Sequence, residues 1–243
     1  MTLRDAWQAH AQDWLAWARR PGHDGFWQTI QPPLLELLPA AGRLTVDVGC
    51  GEGRLSRELQ RRGHRVLGID IAPALVQATL AGGTPAIQAD AAALPLTAGA
   101  ADLVVACMSL QDIDDLDGAI HEISRVLTPG GALCLAIVHP LSSAGRFTTP
   151  TATAPFVIED SYLDETVRTQ HVERDGLPMT FVSAHRPLGS YFQTLEAAGL
   201  HVVALREPAV PGSAVAANPT ERRWQRIPEF LLLRAFKPRE RRQ

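Results

Sequence analysis

Between Leu44 and Val138 the chain alternates short, largely apolar runs with segments of helical character. Leu44–Val48, Arg65–Asp70, Pro85–Gln88, Asp102–Met108 and Ala132–Val138 read as strands. Arg54–Arg62, Pro73–Leu80 and Leu116–Leu127 read as the helices between them, the last ended by Pro129-Gly130-Gly131. Apolar strands without an in–out alternation are buried on both faces, which requires a parallel sheet with helices on each side. Right-handed crossovers then leave few topologies besides a doubly wound α/β sandwich.

The flanks add to this frame. Residues 5–20 carry Trp7, Trp14, Leu15 and Trp17 in helical register, and Pro21-Gly22 breaks that helix. A second helix is expected over Gly25–Leu38, bent or restarted at Pro32-Pro33. After His139, residues 141–156 are rich in Ser, Thr, Ala and Pro and read as loop. Thr169–Val172 and Met179–Ser183 pair as a hairpin across Asp175-Gly176. Leu188–Ala198 reads as a helix closed by Gly199, and His201–Leu205 and Phe230–Phe236 are the last two strands. One domain over 1–243 is expected: an N-terminal helical cap (1–42), a core (43–140), a lid or substrate insertion (141–187) and the end of a seven-stranded, mostly parallel sheet (188–243).

Charge and cysteine content exclude several classes. Net charge is −3, from 23 basic and 26 acidic residues, without the basic footprint of a nucleic-acid binder. The one basic cluster, Lys237-Pro238-Arg239-Glu240-Arg241-Arg242, reads as a solvated end. Lys237 is the only lysine, an Arg-rich bias that points to a GC-rich, bacterial genome. Cys50, Cys107 and Cys134 lack the spacing of a disulfide framework or a zinc site, which suits a reducing cytoplasm and no metal. No apolar run approaches the ~20 residues of a membrane span. Arg4 and Asp5 have no apolar segment behind them, so no secretory signal is expected.

The segment Val46-Asp47-Val48-Gly49-Cys50-Gly51-Glu52-Gly53 follows a strand and opens a helix. Its G-x-G-x-G spacing lets the backbone turn sharply and approach a ligand closely. A dinucleotide fingerprint needs a third glycine where Arg54 stands, which disfavours a nicotinamide oxidoreductase. Asp70 and Asp90 end the next two strands. Asp70 reads either as a helix N-cap or as an acceptor for both hydroxyls of a ribose. Asp90 reads either as a helix N-cap or as an acceptor from an adenine amino group.

Together these residues resemble the class I S-adenosylmethionine-dependent methyltransferases. Val46–Gly53 is similar to that family's first motif, and Asp70 to its ribose-binding acid. Asp90 with Ala91-Ala92-Ala93-Leu94-Pro95-Leu96 resembles its adenine-binding stretch. Asp102–Asp112 and Arg125–Gly131 match the fourth strand and the turn into the fifth, so the likeness covers roughly residues 43–138. The resemblance implies a Rossmann-like fold and S-adenosylmethionine as cofactor, leaving as S-adenosylhomocysteine. It implies cofactor contacts from Asp47, Gly49, Cys50, Gly51, Gly53, Asp70, Ile71, Asp90, Ala91 and Met108, with Asp47 near the amino group and Met108 near the methionine part. The implied activity is methyl transfer to O, N or C of a small metabolite by in-line displacement. A protein that keeps the cofactor site without transfer, and an enzyme acting on tRNA or protein, are the other readings. Enzymes acting on an adenine amino group carry Asn-Pro-Pro-aromatic after the fourth strand, whereas this chain has Cys107-Met108-Ser109-Leu110.

In-line transfer depends chiefly on positioning, which can contribute ~7–11 kcal/mol. A general base, needed only for an acceptor that carries a proton, contributes roughly 100- to 10,000-fold. His139 and His185 stand at or near strand exits and are the candidate bases, or else loop-holding residues. Asp112 is a third candidate, or part of a solvated turn Asp112-Ile113-Asp114-Asp115. Trp27, Gln111 and Tyr162 are candidate substrate contacts, with Phe181 and His23-Asp24 beside them. The tryptophans of residues 5–20 either pack the helix on the core or line a lid. The expected partner is a small molecule, with no nucleic acid and no membrane, and the protein a monomer or homodimer.

Overall fold

The computed structural model describes residues 2–20 and 22–239. Pro21 and residues 240–242 of the basic tail lie outside the described residues. Among the described residues eleven strands and eight α-helices follow one another. In chain order they are α1 (Leu3–Ala18), α2 (Gln31–Leu37), β1 (Thr45–Val48), α3 (Arg54–Arg61), β2 (Val66–Asp70), α4 (Pro73–Ala81) and β3 (Ala86–Gln88). Next come β4 (Ala101–Cys107), α5 (Leu116–Val126), β5 (Leu127–Val138), α6 (Pro140–Ala144), β6 (Gly145–Phe147) and β7 (Phe156–Ile158). The chain ends with β8 (Thr166–Arg174), β9 (Leu177–His185), α7 (Leu188–Ala197), β10 (His201–Arg206), α8 (Gly212–Ala217) and β11 (Phe230–Phe236).

Seven strands form one sheet in the order β10-β11-β5-β4-β1-β2-β3. The four pairings that join β5, β4, β1, β2 and β3 are those of a doubly wound fold: β1 runs parallel to β2 and β4, β2 to β3, and β4 to β5. Only β11 is reversed against both its neighbours. The alternation of side chains along a strand divides the core in two. Leu133, Leu135 and Ile137 of β5 face Ile120 and Ile123 of α5 and Leu195 of α7. Ala132, Cys134 and Ala136 face the opposite way, toward Leu34 and Leu37 of α2 and Leu55 and Leu59 of α3. Among the described residues no helix is long and apolar enough to cross a membrane.

The structure departs from the sequence expectations at several places. The helix before the fifth strand ends at Val126, and Leu127 is already extended with ψ 136°. Pro129 favours extended backbone before it. Pro129-Gly130-Gly131 is therefore a register break inside β5, between the pairs Ala101↔Leu127 and Leu103↔Ala132. Residues 141–156 are not all loop. His139 caps the short α6 by accepting the Leu141 N–H, and β6 pairs with β7. The second helix is interrupted by a π-helical turn over Phe26–Ile30, and Pro32-Pro33 sit in the first turn of α2, where a missing N–H costs nothing. Lys237 is half-buried: its Nζ donates to Ser124 and Leu127 O at 2.7 and 3.1 Å and closes the C-terminal end of α5.

The hairpin β8–β9 is longer than the sequence pattern suggests, with nine residues in each strand. Asp175 and Gly176 both adopt positive φ, 52° and 74°, as a two-residue turn between twisted strands requires. Helix α1 packs on β9 through Leu3 and Ala6 against Val182 and Ala184, and on α4 through Ala11 against Ala72 and Leu75.

Leu135 is 1% exposed at the centre of this core. Leu135→Ala is expected to lower unfolding free energy by roughly 2–5 kcal/mol, read by urea titration with an unchanged slope. A loss below roughly 1 kcal/mol would show that the layer between β5 and α5 is not tightly packed.

Candidate functional site

The site is built at the carboxyl edge of the parallel strands. Gly49, Gly51 and Gly53 adopt φ of 71°, 57° and 83°, so the chain leaves β1 in a turn that side chains would strain. Gly49 and Cys50 N–H both donate to Ile69 O, at 2.7 and 3.0 Å. A Cβ on Gly49 would collide with Ser109, whose Oγ donates to Val48 O at 2.7 Å. The loops after β1 and β4 are thus in direct contact. Met108, immediately after β4, has φ 56°, a conformation that costs a non-glycine residue of order 1–3 kcal/mol.

Asp70 joins two loops. One carboxylate oxygen accepts Gly51 N–H at 2.8 Å and the other accepts Ala72 N–H at 3.0 Å. It is buried, and burial raises its affinity for a proton against the pull of those N–H groups. The N-cap of α4 is Ala72, so Asp70 is not itself the cap residue. Asp90 accepts Ala92 N–H at 2.9 Å and pairs with Arg4 of α1. Asp114, beyond β4, accepts Leu3 and Arg4 N–H at 2.8 and 3.1 Å. Two strand-exit acids therefore hold the start of α1 over the sheet edge, where its dipole favours negative charge.

Beneath α1 lies a cavity of about 1740 Å³. Typical small-ligand sites occupy roughly 300–1,000 Å³, so this one has room for two molecules side by side. Asp47, Gly49, Cys50, Gly51, Asp70, Ile71, Asp90, Ala91, Met108, Gln111 and Asp112 all line it. Phe181, His23 and Asp24 line it as well. Trp7, Trp14 and Trp17 lie on the cavity wall, and Trp14 and Trp17 meet Phe181 edge to face at 6.1 and 5.9 Å between centroids.

Five expected site residues stand elsewhere. Gly53 is not on the wall; a Cβ there would meet Thr79 behind the loop. Trp27 faces outward, 40% exposed, in a shallow crevice with Arg19 and Arg57. Tyr162 spends its hydroxyl accepting Leu188 N–H at 3.0 Å. His185 is 1% exposed, with Nε2 donating to Tyr162 O at 2.9 Å and Nδ1 at 2.7 Å from Ser143 Oγ. His139 accepts Leu141 N–H at Nδ1 and donates from Nε2 to Glu207 at 2.9 Å. Each imidazole has its basic nitrogen engaged by a protein donor, and neither ring is on the cavity wall. Burial further lowers the proton affinity of His139. These two histidines hold loops rather than face a substrate.

Asp112 is not in a solvated turn. It ends the 3₁₀ turn Leu110–Asp112, half-buried on the cavity wall, where burial pushes its carboxyl well above the usual range. Gln111 Nε2 donates to it at 3.2 Å, while Gln111 Oε1 is buried without a partner among the described residues.

Two wall residues escape motif reading. Arg54, noted above only for the glycine it replaces, pairs with Asp24 at 2.7 Å and sits 3.9 Å over the Phe26 ring. It is 10% exposed. Glu229 immediately precedes β11. Because β11 is reversed, its beginning rather than its end reaches the ligand edge, so a search for acids at strand ends passes over it. Burial and Glu221 push its carboxyl up to about 8, against Arg223 and Arg174.

Residues 46–135 match a family model described as a methyltransferase domain. Over 119 residues the chain is 35% identical to a malonyl-[acyl-carrier protein] O-methyltransferase of Methylovorus sp., covering 44% of this chain and 40% of that protein. Over 114 residues it is 34% identical to a ubiquinone biosynthesis O-methyltransferase of Xanthomonas oryzae, covering 44% of this chain and 48% of that one. The match thus spans less than half the length of these curated relatives. The solved structure of an S-adenosylmethionine-dependent methyltransferase from Mesorhizobium loti is similar with a TM-score of 0.73 and 25% identity, over 88% of this chain and 98% of that one.

Asp47 is 1% exposed and accepts Ser56 Oγ at 2.5 Å. Burial nonetheless raises its pKa from 3.8 to about 6. A carboxyl whose folded pKa is raised stabilises the fold below its unfolded pKa and loses that contribution as pH rises through the folded one. Two units correspond to roughly 3 kcal/mol in full. Asp47→Asn is therefore expected to reduce the fall in stability between about pH 4 and about pH 7 by roughly 2 kcal/mol, measured by urea unfolding at both values. Parallel curves for the two proteins would place the Asp47 pKa in the ordinary range.

Proposed function

Because this chain belongs to the class I S-adenosylmethionine-dependent methyltransferases, we propose that it transfers a methyl group from that cofactor to a small-molecule acceptor. The observation that carries this reading is the glycine loop tied to Asp70 at the mouth of a cavity large enough for cofactor and acceptor together. The residues fit the cofactor. Gly51 lies close under Trp14, where a Cβ would meet the indole nitrogen at 3.2 Å, so a slot between loop and cap depends on a bare backbone. Arg54, paired with Asp24, brings a guanidinium charge to the same wall.

Bound there, S-adenosylmethionine supplies a sulfonium methyl group open to in-line attack. Asp70 accepts the ribose hydroxyls with the lone pairs left beside its two N–H bonds. Asp90 and Ala91 border the adenine, and Asp47 and Met108 the methionine part. Helix α1 and the aromatic rings on it exclude water from the reacting atoms, which strengthens every charge interaction inside. Positioning supplies most of the rate, on the order of 7–11 kcal/mol of barrier lowering. Residues 43–140 hold the cofactor, while 1–42 and 141–187 enclose the acceptor. The acceptor is a metabolite rather than a nucleic acid, consistent with the net charge of −3. Three free cysteines suit a reducing bacterial cytoplasm.

Calorimetric titration is expected to show micromolar binding of S-adenosylhomocysteine and none of reduced nicotinamide dinucleotide. Asp70→Asn keeps a side chain of the same shape and is expected to weaken that binding at least tenfold, because the ribose loses a charged acceptor. Unchanged affinity would remove Asp70 from the cofactor site.

A further inference from the structure

We propose that Glu229 is the general base of this site and that the acceptor is a neutral hydroxyl group. This rests on the methyl-transfer reading above and adds to it the acceptor class and the destination of the proton.

The position is set by the sheet. Phe230 pairs with Val138, and Glu229 O accepts His139 N–H at 2.8 Å, so the Glu229 backbone is fixed one residue beyond the last pair of β11 and β5. That is the edge where the cofactor loop lies, and Glu229 lines the same cavity as Gly49 and Asp70. The side chain has nothing else to do there. The other sheltered acids of the wall, Asp24, Asp47, Glu52, Asp70, Asp90 and Asp112, each hold an ion pair or hydrogen bond within the protein. The Glu229 carboxyl forms neither among the described residues, and feels only the charges of Glu221, Arg223 and Arg174. Phe147 and Trp224, edge to face at 4.9 Å, are on the same wall and offer an apolar surface for the acceptor body.

The chemistry follows from the proton count. A carboxylate acceptor has no proton to lose and needs no base. A hydroxyl must lose its proton as it is methylated. The acceptor oxygen forms a bond to the methyl carbon, the carbon–sulfur bond breaks with its electron pair left on sulfur, and the hydroxyl proton passes to Glu229. Sulfonium, hydroxyl and carboxylate become thioether, ether and carboxylic acid, with no further reactant. Arg174 of β8 and Arg223 of the 3₁₀ segment Pro219–Gln225 favour the ionised carboxyl, whereas burial and Glu221 of that segment hold it protonated at neutral pH. Its charge therefore changes within the working range, which suits proton transfer.

The test compares the wild-type protein with Glu229→Gln, Glu229→Asp and Glu221→Gln. In the ligand-free protein, infrared difference titration is expected to show one carboxyl with a midpoint near 8, absent in Glu229→Gln and moved lower in Glu221→Gln. Turnover is then measured on phenols, catechols and aliphatic alcohols, beside matched carboxylic acids and amines. Hydroxyl members are expected to be methylated, with a rate that rises through about pH 8. Glu229→Gln is expected to lose roughly 100- to 10,000-fold in turnover, with S-adenosylhomocysteine affinity kept within about twofold, and Glu229→Asp to recover part of the rate. No carboxyl titrating near that midpoint, methylation of acids or amines alone, or Glu229→Gln retaining more than about a tenth of the rate overturns the proposal. S-Adenosylhomocysteine binding with every hydroxyl acceptor refused also overturns it, and leaves the cofactor assignment standing. Failure to bind S-adenosylhomocysteine sinks the reading beneath both.

Discussion

One buried carboxylate organises the ligand edge of this protein. Asp70 takes an N–H from the loop after β1 and another from the turn into α4. An ionised group without partners in such a place would be strongly disfavoured. Two backbone donors offset that cost and use one oxygen each, leaving further lone pairs toward the cavity. The glycine loop is held at the height this contact requires: Ile69 O receives Gly49 and Cys50 N–H, and Thr79 Oγ1 donates to Gly51 O at 2.8 Å. The site is therefore rigid before any ligand arrives, which lowers the ordering cost of binding.

A second set of acids closes the site from above. Asp90 and Asp114 lie at the exits of β3 and β4 and bind the first turn of α1. The exposed partners make each contact individually weak. Their effect is geometric: they fix where the helix starts, so that Trp7, Trp14 and Trp17 reach the cavity. The hairpin β8–β9 supports the same helix from the other side, and Arg174 ties it to Gly22 and His23 O at 2.6 and 3.0 Å. Residues distant in the chain thus make up a single enclosure.

The sheet was legible because its strands are apolar throughout and its helices are punctuated. Asp115 accepts Gly118 N–H at 2.8 Å to begin α5, and Gly199 follows α7 at φ 70°, both as their residue types lead one to expect. The bend inside β5 was not legible. A proline followed by two glycines usually stops an element, and only pairing with β4 on one side and β11 on the other keeps this segment in the sheet. The histidines misled for a related reason. A histidine at a strand exit looks the same in sequence whether its ring turns to the ligand or to a loop. His139 turned toward Glu207, and His185 toward Ser143 and Tyr162.

What the sequence determined by itself is what local chemistry dictates: the strand and helix order from β1 to β5, the positive-φ turn at the glycine loop, and acids at the ends of β2 and β3. Each depends on neighbours a few residues away. Tertiary structure decided which side chains share the cavity. Glu229 reaches it because β11 runs against β5, and Arg54 because α1 and the Phe26 ring fold over it. Strand direction and the course of a covering helix are set by contacts between residues far apart in the chain, from Arg54 with Phe26 and Trp14 to β11 with β5, and no local spacing encodes them.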